Sequence, residues 1–230
     1  MALITPGPMA GQISGRLGAI IFAHNRGGPY VRNGTIPITS TTVPALAAKA
    51  RLAAVSQSWG ALTAGQRLAW KLYGMENPSV NRLGHTITLT GHQIHNGINA
   101  RLLLAGNAVI TAPTLLATPP PLLTFSITGD IGAGTTECAF TATPVAALDQ
   151  VWLTGTVQNS SSIVNVENQS RFIAASAVNQ ATAWDYQALI EAVFGSLVVG
   201  QHVTLFASVF GSTSGLLSAP LRAAVDVTTT

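Results

Sequence analysis

The hydrophobic pattern of this chain changes its main period at the run Thr118-Pro119-Pro120-Pro121. Apolar residues recur at helical spacing before this run, and they alternate with polar residues after it. Consecutive prolines form a stiff, extended segment because each ring fixes φ. We therefore predict an α+β chain, mainly β, with a linker at residues 118–121 and a β-sheet domain at residues 122–230.

The segment after the prolines contains six runs in which apolar and polar residues alternate, and Gly, Asn and Ser separate the runs. These runs start near Leu123, Cys138, Val151, Phe172, Val203 and Leu221. Short alternating strands joined by such turns are typical of an antiparallel β-sandwich of the immunoglobulin or fibronectin type. Residues 184–194 have helical spacing instead, which predicts one helix, capped by Thr182, that crosses between the sheets.

Residues 44–117 are predicted to form a small helical domain with three helices. The first helix begins at Pro44, because proline suits a first helical turn, and continues to about Ser58. Its apolar face is predicted to contain Leu52, Val55 and Trp59. The other two helices each begin with a Thr-x-x-Gln capping box, in which both side chains satisfy backbone N–H groups. These boxes are Thr63-x-x-Gln66 and Thr90-x-x-Gln93. The second helix is expected to end near Gly74 and the third to stop at Gly106.

Residues 1–43 are rich in Gly, Pro and Thr and contain too few large apolar side chains to bury a core. We predict that they form an extended arm that a neighbouring subunit holds in place. Within the arm, residues 19–23 and 29–32 flank the run His24-Asn25-Arg26-Gly27-Gly28. This arrangement predicts a small hairpin whose turn uses the access of glycine to positive φ.

The formal charge of the chain differs between its two ends. Nine of the eleven Lys and Arg residues lie before Thr111 with a single carboxylate, Glu76, so this part carries +8. The remaining two cations and seven carboxylates give the rest of the chain −5. Such polarity is typical of a molecule that meets a negative partner at one end or stacks head to tail.

Arg67 and Lys71 show the same excess locally, because they lie four residues apart on the predicted second helix with no carboxylate between them. Like charges at this spacing destabilise a helix slightly, and they favour a negative partner such as nucleic acid or an acidic protein surface. For this single pair, a solvated basic face is the simpler alternative.

The composition predicts a surface that other chains cover. Only 8% of the residues are charged, where a soluble domain carries about 25%, although 47% are hydrophobic and the mean hydropathy is +0.40.

No run of 18 apolar residues is present, so we predict no membrane span. The first residues lack the pattern of a secretory signal, and we expect synthesis in the cytoplasm.

The motifs that could carry catalysis or bind a metal have simpler interpretations. Cys138 is the only cysteine and alternates with apolar neighbours, which predicts a buried thiol in a strand. His92 and His95 lack further ligands, so we predict a hydrogen-bonded pair on a helix surface. The runs that begin at Gly129 and Gly211 lack the order of nucleotide or nucleophile motifs and predict hairpin turns. We predict no catalytic residue, metal site or cofactor.

Trp152 is the residue that favours a different function. It alternates to the face opposite Val151 and Leu153, which predicts that its ring is exposed. Exposed aromatic rings on a β-sandwich can stack on sugars. Trp152 is therefore a candidate glycan contact, and a carbohydrate-binding or adhesion module is the alternative function.

Several short motifs resemble structural proteins of tailed bacteriophages and prophages. They are Ser14-Gly15-Arg16-Leu17-Gly18, Asn25-Arg26-Gly27-Gly28-Pro29-Tyr30-Val31-Arg32 and Trp59-x-x-Leu62-Thr63-x-x-Gln66-Arg67-x-x-Trp70. The ending, with Phe194-Gly195-Ser196-Leu197, Gly200-Gln201 and residues 215–220, is similar to the fibronectin-type module that closes many of them. This resemblance implies a non-enzymatic component of a virion, made in the cytoplasm of a bacterial host.

The expected role is therefore structural, as a minor capsid or decoration protein or as part of the connector or tail. The expected partners are major capsid, connector or tail subunits, with further copies of the chain in a symmetric assembly and non-specific DNA contact through the basic half. The candidate interface residues are Arg16, Arg26, Tyr30, Arg32, Arg67 and Lys71.

Overall fold

The computed structural model describes residues 2–5, 13–34, 41–81, 83–113, 118–134, 136–141, 145–162 and 166–229. The chain has mixed α and β structure with mostly antiparallel sheets, which confirms the α+β class. It divides into two compact units, Met1–Ala100 with Val109–Pro113 and Arg101–Ala108 with Thr114–Thr230. The prolines of residues 118–121 thus lie inside the second unit, where Pro119 is buried.

The first unit begins with a four-stranded antiparallel sheet in the order β1-β4-β3-β2. Its strands are β1 (Ala2–Leu3), β2 (Gly15–Leu17), β3 (Ile20–Asn25) and β4 (Gly28–Asn33). The turn that joins β3 to β4 consists of Arg26 and Gly27, and Gly28 has φ +106°. The predicted hairpin is therefore confirmed, with longer strands and a shorter turn.

The extended arm predicted for residues 1–43 is instead this sheet, as far as the described residues go. Positive φ at Gly15 and Gly18 lets short strands turn and pair although they have few apolar side chains. Main-chain hydrogen bonds hold the strands, and no described side chain of β2, β3 or β4 is buried. The lack of a core agrees with the composition, which did not reveal that these residues nevertheless pair as a sheet.

Three helices and a small two-stranded sheet complete the first part of the chain. They are α1 (Val43–Ala61), α2 (Ala64–Glu76), β5 (Ser79–Val80), β6 (Thr86–Ile87) and α3 (Gly91–Leu104). Both capping boxes are confirmed: Thr63 and Gln66 exchange hydrogen bonds of 3.3 and 2.8 Å, and Thr90 and Gln93 exchange bonds of 3.2 and 2.9 Å. Gly106, with φ +80°, follows the end of α3 as predicted.

The predicted apolar face of α1 is only partly correct. Val55 is fully buried and Trp59 is half-buried, but Leu52 is 54% exposed. Ser56 and Trp59 contact His92 of α3, whereas Leu52 lies one turn earlier in α1. The apolar stripe of α1 therefore extends beyond the part of the helix that other described residues cover.

Two glycines allow α2 and the start of α3 to approach closely. A Cβ atom on Gly91 would lie 2.8 Å from the Lys71 nitrogen and 2.9 Å from the Trp70 carbonyl carbon. A Cβ atom on Gly74 would lie 2.8 Å from the Leu89 carbonyl oxygen. Gly74 lies two residues before Glu76, the last residue of α2, so the predicted end of this helix near Gly74 is confirmed. The function of Gly74 is to make room for the chain that leads into α3.

The second unit contains two antiparallel sheets that share one core. The larger has the order β10-β9-β12-β13 and the smaller has the order β11-β8-β7. The strands are β7 (Thr124–Ile127), β8 (Glu137–Thr141), β9 (Asp149–Gln158), β10 (Arg171–Ala175), β11 (Trp184–Asp185), β12 (His202–Gly211) and β13 (Leu221–Asp226). All six strands predicted from alternation are present. Ala142, which continues the alternation of the run that starts at Cys138, lies outside the described residues.

The turns and the connection between the two sheets agree with the predictions. The run from Gly129 forms the turn between β7 and β8, and the run from Gly211 forms the turn between β12 and β13. One helix, α4 (Gln187–Phe194), connects β11 of the smaller sheet to β12 of the larger. Its N-cap is Tyr186 rather than the predicted Thr182, because Trp184 and Asp185 pair with β8.

The core of the second unit is formed by side chains from both sheets and α4. Cys138 is fully buried in it, and its thiol donates a hydrogen bond of 3.2 Å to the Trp184 carbonyl oxygen. Burial raises the pKa of the Cys138 thiol to about 12. The thiol therefore stays protonated at neutral pH, which confirms the prediction of a buried cysteine.

The predicted exposure of Trp152 is wrong, since the side chain is only 7% exposed. Its ring centroid lies 4.4 Å from that of Phe172 and 5.0 Å from that of Phe210. The central strand β9 pairs with β10 on one side and β12 on the other, so aromatic residues of both neighbours reach the outer face.

No described helix is long and apolar enough to cross a membrane.

Candidate functional site

The first unit contains a groove of about 540 Å³ that combines positive charge with apolar surface. Three of the predicted interface residues, Arg26, Arg67 and Lys71, line it, and all three are exposed. Apolar side chains also line it: Trp59, Leu68, Met75 and Leu89. We call this site the basic groove. The groove brings together Arg26 of the β3–β4 turn and Lys71 of α2, which are 45 positions apart in the sequence.

Each cation of the basic groove is placed by a specific local structure. Arg26 lies in the β3–β4 turn, and Asn81 holds that turn because its side-chain amide donates a 2.9 Å hydrogen bond to the Gly27 carbonyl oxygen. Arg67 donates a 2.7 Å hydrogen bond to the Gly60 carbonyl oxygen at the end of α1. Arg67 therefore stabilises a helix C-terminus as well as lining the groove.

The first residues of α3 form another part of the groove lining. Thr88, Thr90, Gly91 and His92 line the groove together with Leu89. Because Gly91 lacks a Cβ, this segment lies directly against the backbone of α2 at Trp70 and Lys71. The close approach brings the lysine of α2 beside the segment that leads into α3.

No carboxylate is among the residues that line the basic groove in the described part of the chain. The first unit has one carboxylate residue in total, Glu76, which is exposed near the end of α2. Uncompensated cations beside apolar surface attract a partner that carries both negative charge and apolar groups. The chemistry of the groove therefore suits such a partner.

The other three predicted interface residues lie on the N-terminal sheet. Arg16, Ile21 and Arg32 are in register across β2, β3 and β4, so their side chains share one face. Tyr30 lies two residues before Arg32 and has the same orientation. We call the surface formed by Arg16, Tyr30 and Arg32 the sheet face. The six candidates thus form two groups, the basic groove and the sheet face.

The prediction for His92 and His95 is wrong for His95, which is completely buried. Its ring centroid lies 5.3 Å from that of Trp59 and 5.3 Å from that of Trp70. Both indoles contact the same imidazole, so α1 and α2 are joined through α3. The Trp70 indole nitrogen also donates a 3.0 Å hydrogen bond to the Thr111 carbonyl oxygen.

The environment of His95 favours the neutral imidazole. Its Nδ1 atom donates a 3.3 Å hydrogen bond to Asn96 Oδ1, and its Nε2 atom has no partner among the described residues. Burial is the largest effect and lowers the pKa of His95, and the nearby His92 lowers it further. The imidazole therefore serves as a packed, uncharged contact between two tryptophans at neutral pH.

Groups of side chains that could hold a metal ion are absent from the described residues. His202 starts β12, and its Nδ1 lies 2.7 Å from Asp226 Oδ1 on the neighbouring strand. Asp149 is partly buried, which raises the pKa of its carboxyl group. These acidic and imidazole groups belong to strand ends rather than to one cluster.

Sequence reasoning missed the apolar part of the basic groove. Leu68 and Met75 are 54% and 60% exposed, and periodicity places them on α2 without showing that the groove leaves them uncovered. Two signals were present in the sequence. Gly74 and Gly91 mark a close backbone contact, and the excess of cations over carboxylates marks the charge of the surface.

Comparison of the chain with models of known protein families, with curated proteins and with solved structures gives no match.

Proposed function

We propose that this chain is a non-enzymatic structural component of a tailed-phage virion, in which its first unit attaches it to neighbouring subunits. The observation that carries the proposal is the incomplete burial of the first unit. Its N-terminal sheet has no buried side chain among those described in β2, β3 and β4, and only Val55 is buried in the 19 residues of α1. Surfaces of this kind are usually completed by other chains.

The apolar surface of α1 and α2 supports the same proposal. Six of their large apolar side chains are about half exposed or more: Val43, Leu46, Leu52, Leu68, Leu72 and Met75. Isolated proteins rarely leave so many apolar groups on two adjacent helices. Neighbouring capsid, connector or tail subunits would remove them from water, and a symmetric assembly would repeat this burial for every copy.

The mechanism of attachment is main-chain pairing together with charge. Strands β1 and β2 are the edges of the N-terminal sheet, and among the described residues no further strand pairs with either of them, so a neighbouring strand can pair there. The sheet face supplies Arg16 and Arg32 for carboxylates of the neighbour or for phosphates of packaged DNA. We propose further that the second unit is an immunoglobulin- or fibronectin-type sandwich, which its two antiparallel sheets around one core support.

The alternative of a carbohydrate-binding or adhesion module loses its supporting residue. Trp152 is packed between Phe172 and Phe210, so the ring face needed for a sugar is not available. We therefore retain the structural role alone.

The direct test is to look for the chain in purified particles and then to remove its attachment surface. We expect mass spectrometry to find the chain in virions, and deletion of residues 1–43 to abolish its incorporation. Particles that contain the shortened chain at normal copy number would contradict the proposed attachment.

A finer test reverses charge without removing a segment. Arg16→Glu with Arg32→Glu changes the sheet face and should reduce copy number in the particle, because like charges then oppose the neighbour. Arg222→Glu, at an exposed position of β13 in the second unit, is the matched control and should be incorporated normally. Equal incorporation of both variants would exclude the sheet face as the attachment surface.

A further inference from the structure

We propose that the basic groove binds the acidic edge of a second copy of this chain, so that copies associate head to tail. The acidic edge is the pair Glu137 and Asp185 on β8 and β11 of the second unit. This inference deepens the proposed structural role and depends on it, because it names one of the partners of the first unit. It is argued from the chemistry of the groove, the position of the acidic pair and the distribution of charge.

The chemistry of the groove indicates a protein partner rather than nucleic acid. Beside its cations it exposes Leu68 and Met75 and contains Trp59. Centres of protein interfaces are enriched in Trp, Met and Arg, whereas surfaces that bind nucleic acid are more polar and carry denser positive charge. The carboxylates of a protein partner would pair with the cations of the groove, and the surface beside those carboxylates would cover its apolar side chains.

Within the described residues, the carboxylates of the acidic edge form no ion pair with a cation. Asp185 of β11 lies directly opposite Glu137 of β8, and both side chains are exposed. Like charges that face each other across two strands destabilise the pair. The Asp185 carboxylate is also held in place, since Oδ1 accepts hydrogen bonds of 2.9 Å from the Thr136 hydroxyl and 2.9 Å from the Gln187 N–H. Cations from outside would relieve this repulsion.

The distribution of charge identifies a second copy as the source of both surfaces. Residues before Thr111 carry a formal +8 and the remainder carries −5. Every copy therefore offers one basic groove and one acidic edge, which can meet only in a contact between different patches. Such a heterologous contact produces rings or open chains of subunits rather than a closed dimer of identical patches.

The experiment is sedimentation velocity of the purified full chain across a concentration series and at two salt concentrations. We expect reversible association at about 0.1 M salt that is lost at about 1 M, since the Debye length falls from about 10 Å to about 3 Å. Lys71→Glu and Glu137→Lys should each weaken association by at least about tenfold. Arg222→Glu is the control, because it makes the same charge change at an exposed position of β13 outside both surfaces and should leave association unaltered.

Mixing the two charge-reversed variants provides the decisive result. A chain with Lys71→Glu has a negative residue in its groove, which matches the positive residue that Glu137→Lys places on the edge of the other chain. We expect the mixture to recover association that neither variant shows alone. This recovery also demonstrates that both variants are folded.

Three outcomes would overturn the inference. One is a monomer at every concentration in about 0.1 M salt. The second is association that neither salt nor the reversals at Lys71 and Glu137 affect. The third is a monomer that binds a short DNA duplex through Lys71, which would assign the groove to nucleic acid. A monomer that nevertheless enters particles refutes only this inference, whereas self-association of a chain absent from particles refutes only the virion role.

Discussion

His95 shows how a single residue can connect three helices. It lies on α3, and its imidazole contacts Trp59 of α1 and Trp70 of α2 at centroid distances of 5.3 Å each. Edge-on contacts between such rings stabilise beyond the area that they bury. Because Nε2 is buried without a partner in the described residues, a proton on this atom would have no acceptor.

We predict that protonation of His95 destabilises the first unit. The pKa of His95 is lowered in the folded chain, whereas the unfolded chain has the ordinary value of 6.5. Below pH 6.5 the unfolded state therefore binds more protons, so the free energy of unfolding should fall as the pH falls from 6.5 towards the folded pKa. Chemical denaturation at several pH values measures this slope.

The variant His95→Phe is the control for this effect. Phenylalanine keeps a flat ring between the two tryptophans and cannot titrate. The difference in the free energy of unfolding between the original chain and the variant should therefore vary with pH below 6.5 and become independent of pH above it. Identical pH profiles for the two proteins would show that His95 does not cause the loss of stability.

Trp152 is the second residue for which burial decides the expected effect. We predict that Trp152→Ala lowers the free energy of unfolding by about 3–5 kcal/mol, because it removes a large ring from between Phe172 and Phe210. Leu123→Ala, at a side chain that is 75% exposed, should change it by less than about 0.5 kcal/mol. Denaturant titration compares the two, and equal small effects would contradict the packing of Trp152.

The error at Trp152 has a specific physical origin. Alternation predicts correctly which residues of β12 face the core, namely Val203, Leu205, Ala207 and Val209. It does not show that neighbouring strands place aromatics on the other face as well. A register shift between Phe172 and Ala174 turns Ile173 towards the core and leaves Phe172 against Trp152. One extra residue in a strand is not visible in the hydrophobic pattern.

At the scale of elements, the contact between α2 and the start of α3 determines the shape of the basic groove. The contact is close because neither Gly74 nor Gly91 carries a side chain. Lys71 of α2 and the residues from Thr88 to His92 therefore line one groove. A wider separation of these elements would part the lysine from the remaining lining residues.

We predict that Gly91→Ala and Gly97→Ala have opposite effects on stability, although both lie in α3. A Cβ on Gly91 meets backbone atoms at 2.8 and 2.9 Å, so the substitution should lower the free energy of unfolding by about 1–3 kcal/mol. A Cβ on Gly97 meets nothing within 4 Å, and alanine should raise the free energy by up to about 1 kcal/mol. Thermal unfolding distinguishes them, and destabilisation by both would contradict this explanation.

Elements whose signals are local could be predicted from the sequence. The two capping boxes identified the starts of α2 and α3, and six strands of the second unit followed from alternation. The short strand β11 was missed because two residues are too few to show a period. The N-terminal sheet was expected as an arm, because its pairing depends on main-chain hydrogen bonds rather than on apolar side chains.

At the scale of the whole molecule, burial is unevenly distributed between the two units. In the second unit, β9 and β12 pair on both sides and contribute Val151, Leu153, Val203 and Leu205 to the core. In the first unit, the sheet formed by β1 to β4 has no buried residue among the described side chains of β2, β3 and β4. Resistance to local opening depends on such burial.

We predict that amide hydrogen exchange in the isolated chain is slowest in β9 and β12 and fast in β3 and β4. The strands of both pairs have hydrogen-bonded neighbours on two sides, so they differ mainly in side-chain burial. Exchange measured by mass spectrometry at neutral pH tests this order. Equal protection of β3 and β9 would show that the N-terminal sheet is stable without a partner.

The charge distribution of the whole chain could be predicted from the sequence, but the residues that form the basic groove and the acidic edge could not. The excess of cations pointed to Arg67 and Lys71, which do line the basic groove. The sequence could not show that the β3–β4 turn brings Arg26 to them, because that depends on the hydrogen bond between Asn81 and Gly27. Likewise, the opposition of Glu137 and Asp185 results from a strand pairing that spans 48 residues.

The enclosed position of Cys138 makes the chain convenient for site-specific chemistry. It is the only cysteine, its side chain is fully buried, and its thiol remains protonated well above neutral pH. We therefore expect that a maleimide dye does not react with the Cys138 thiol while the second unit stays folded. A cysteine introduced at an exposed position can then be tagged selectively, and any dye that reaches Cys138 reports that the surrounding sheets have parted.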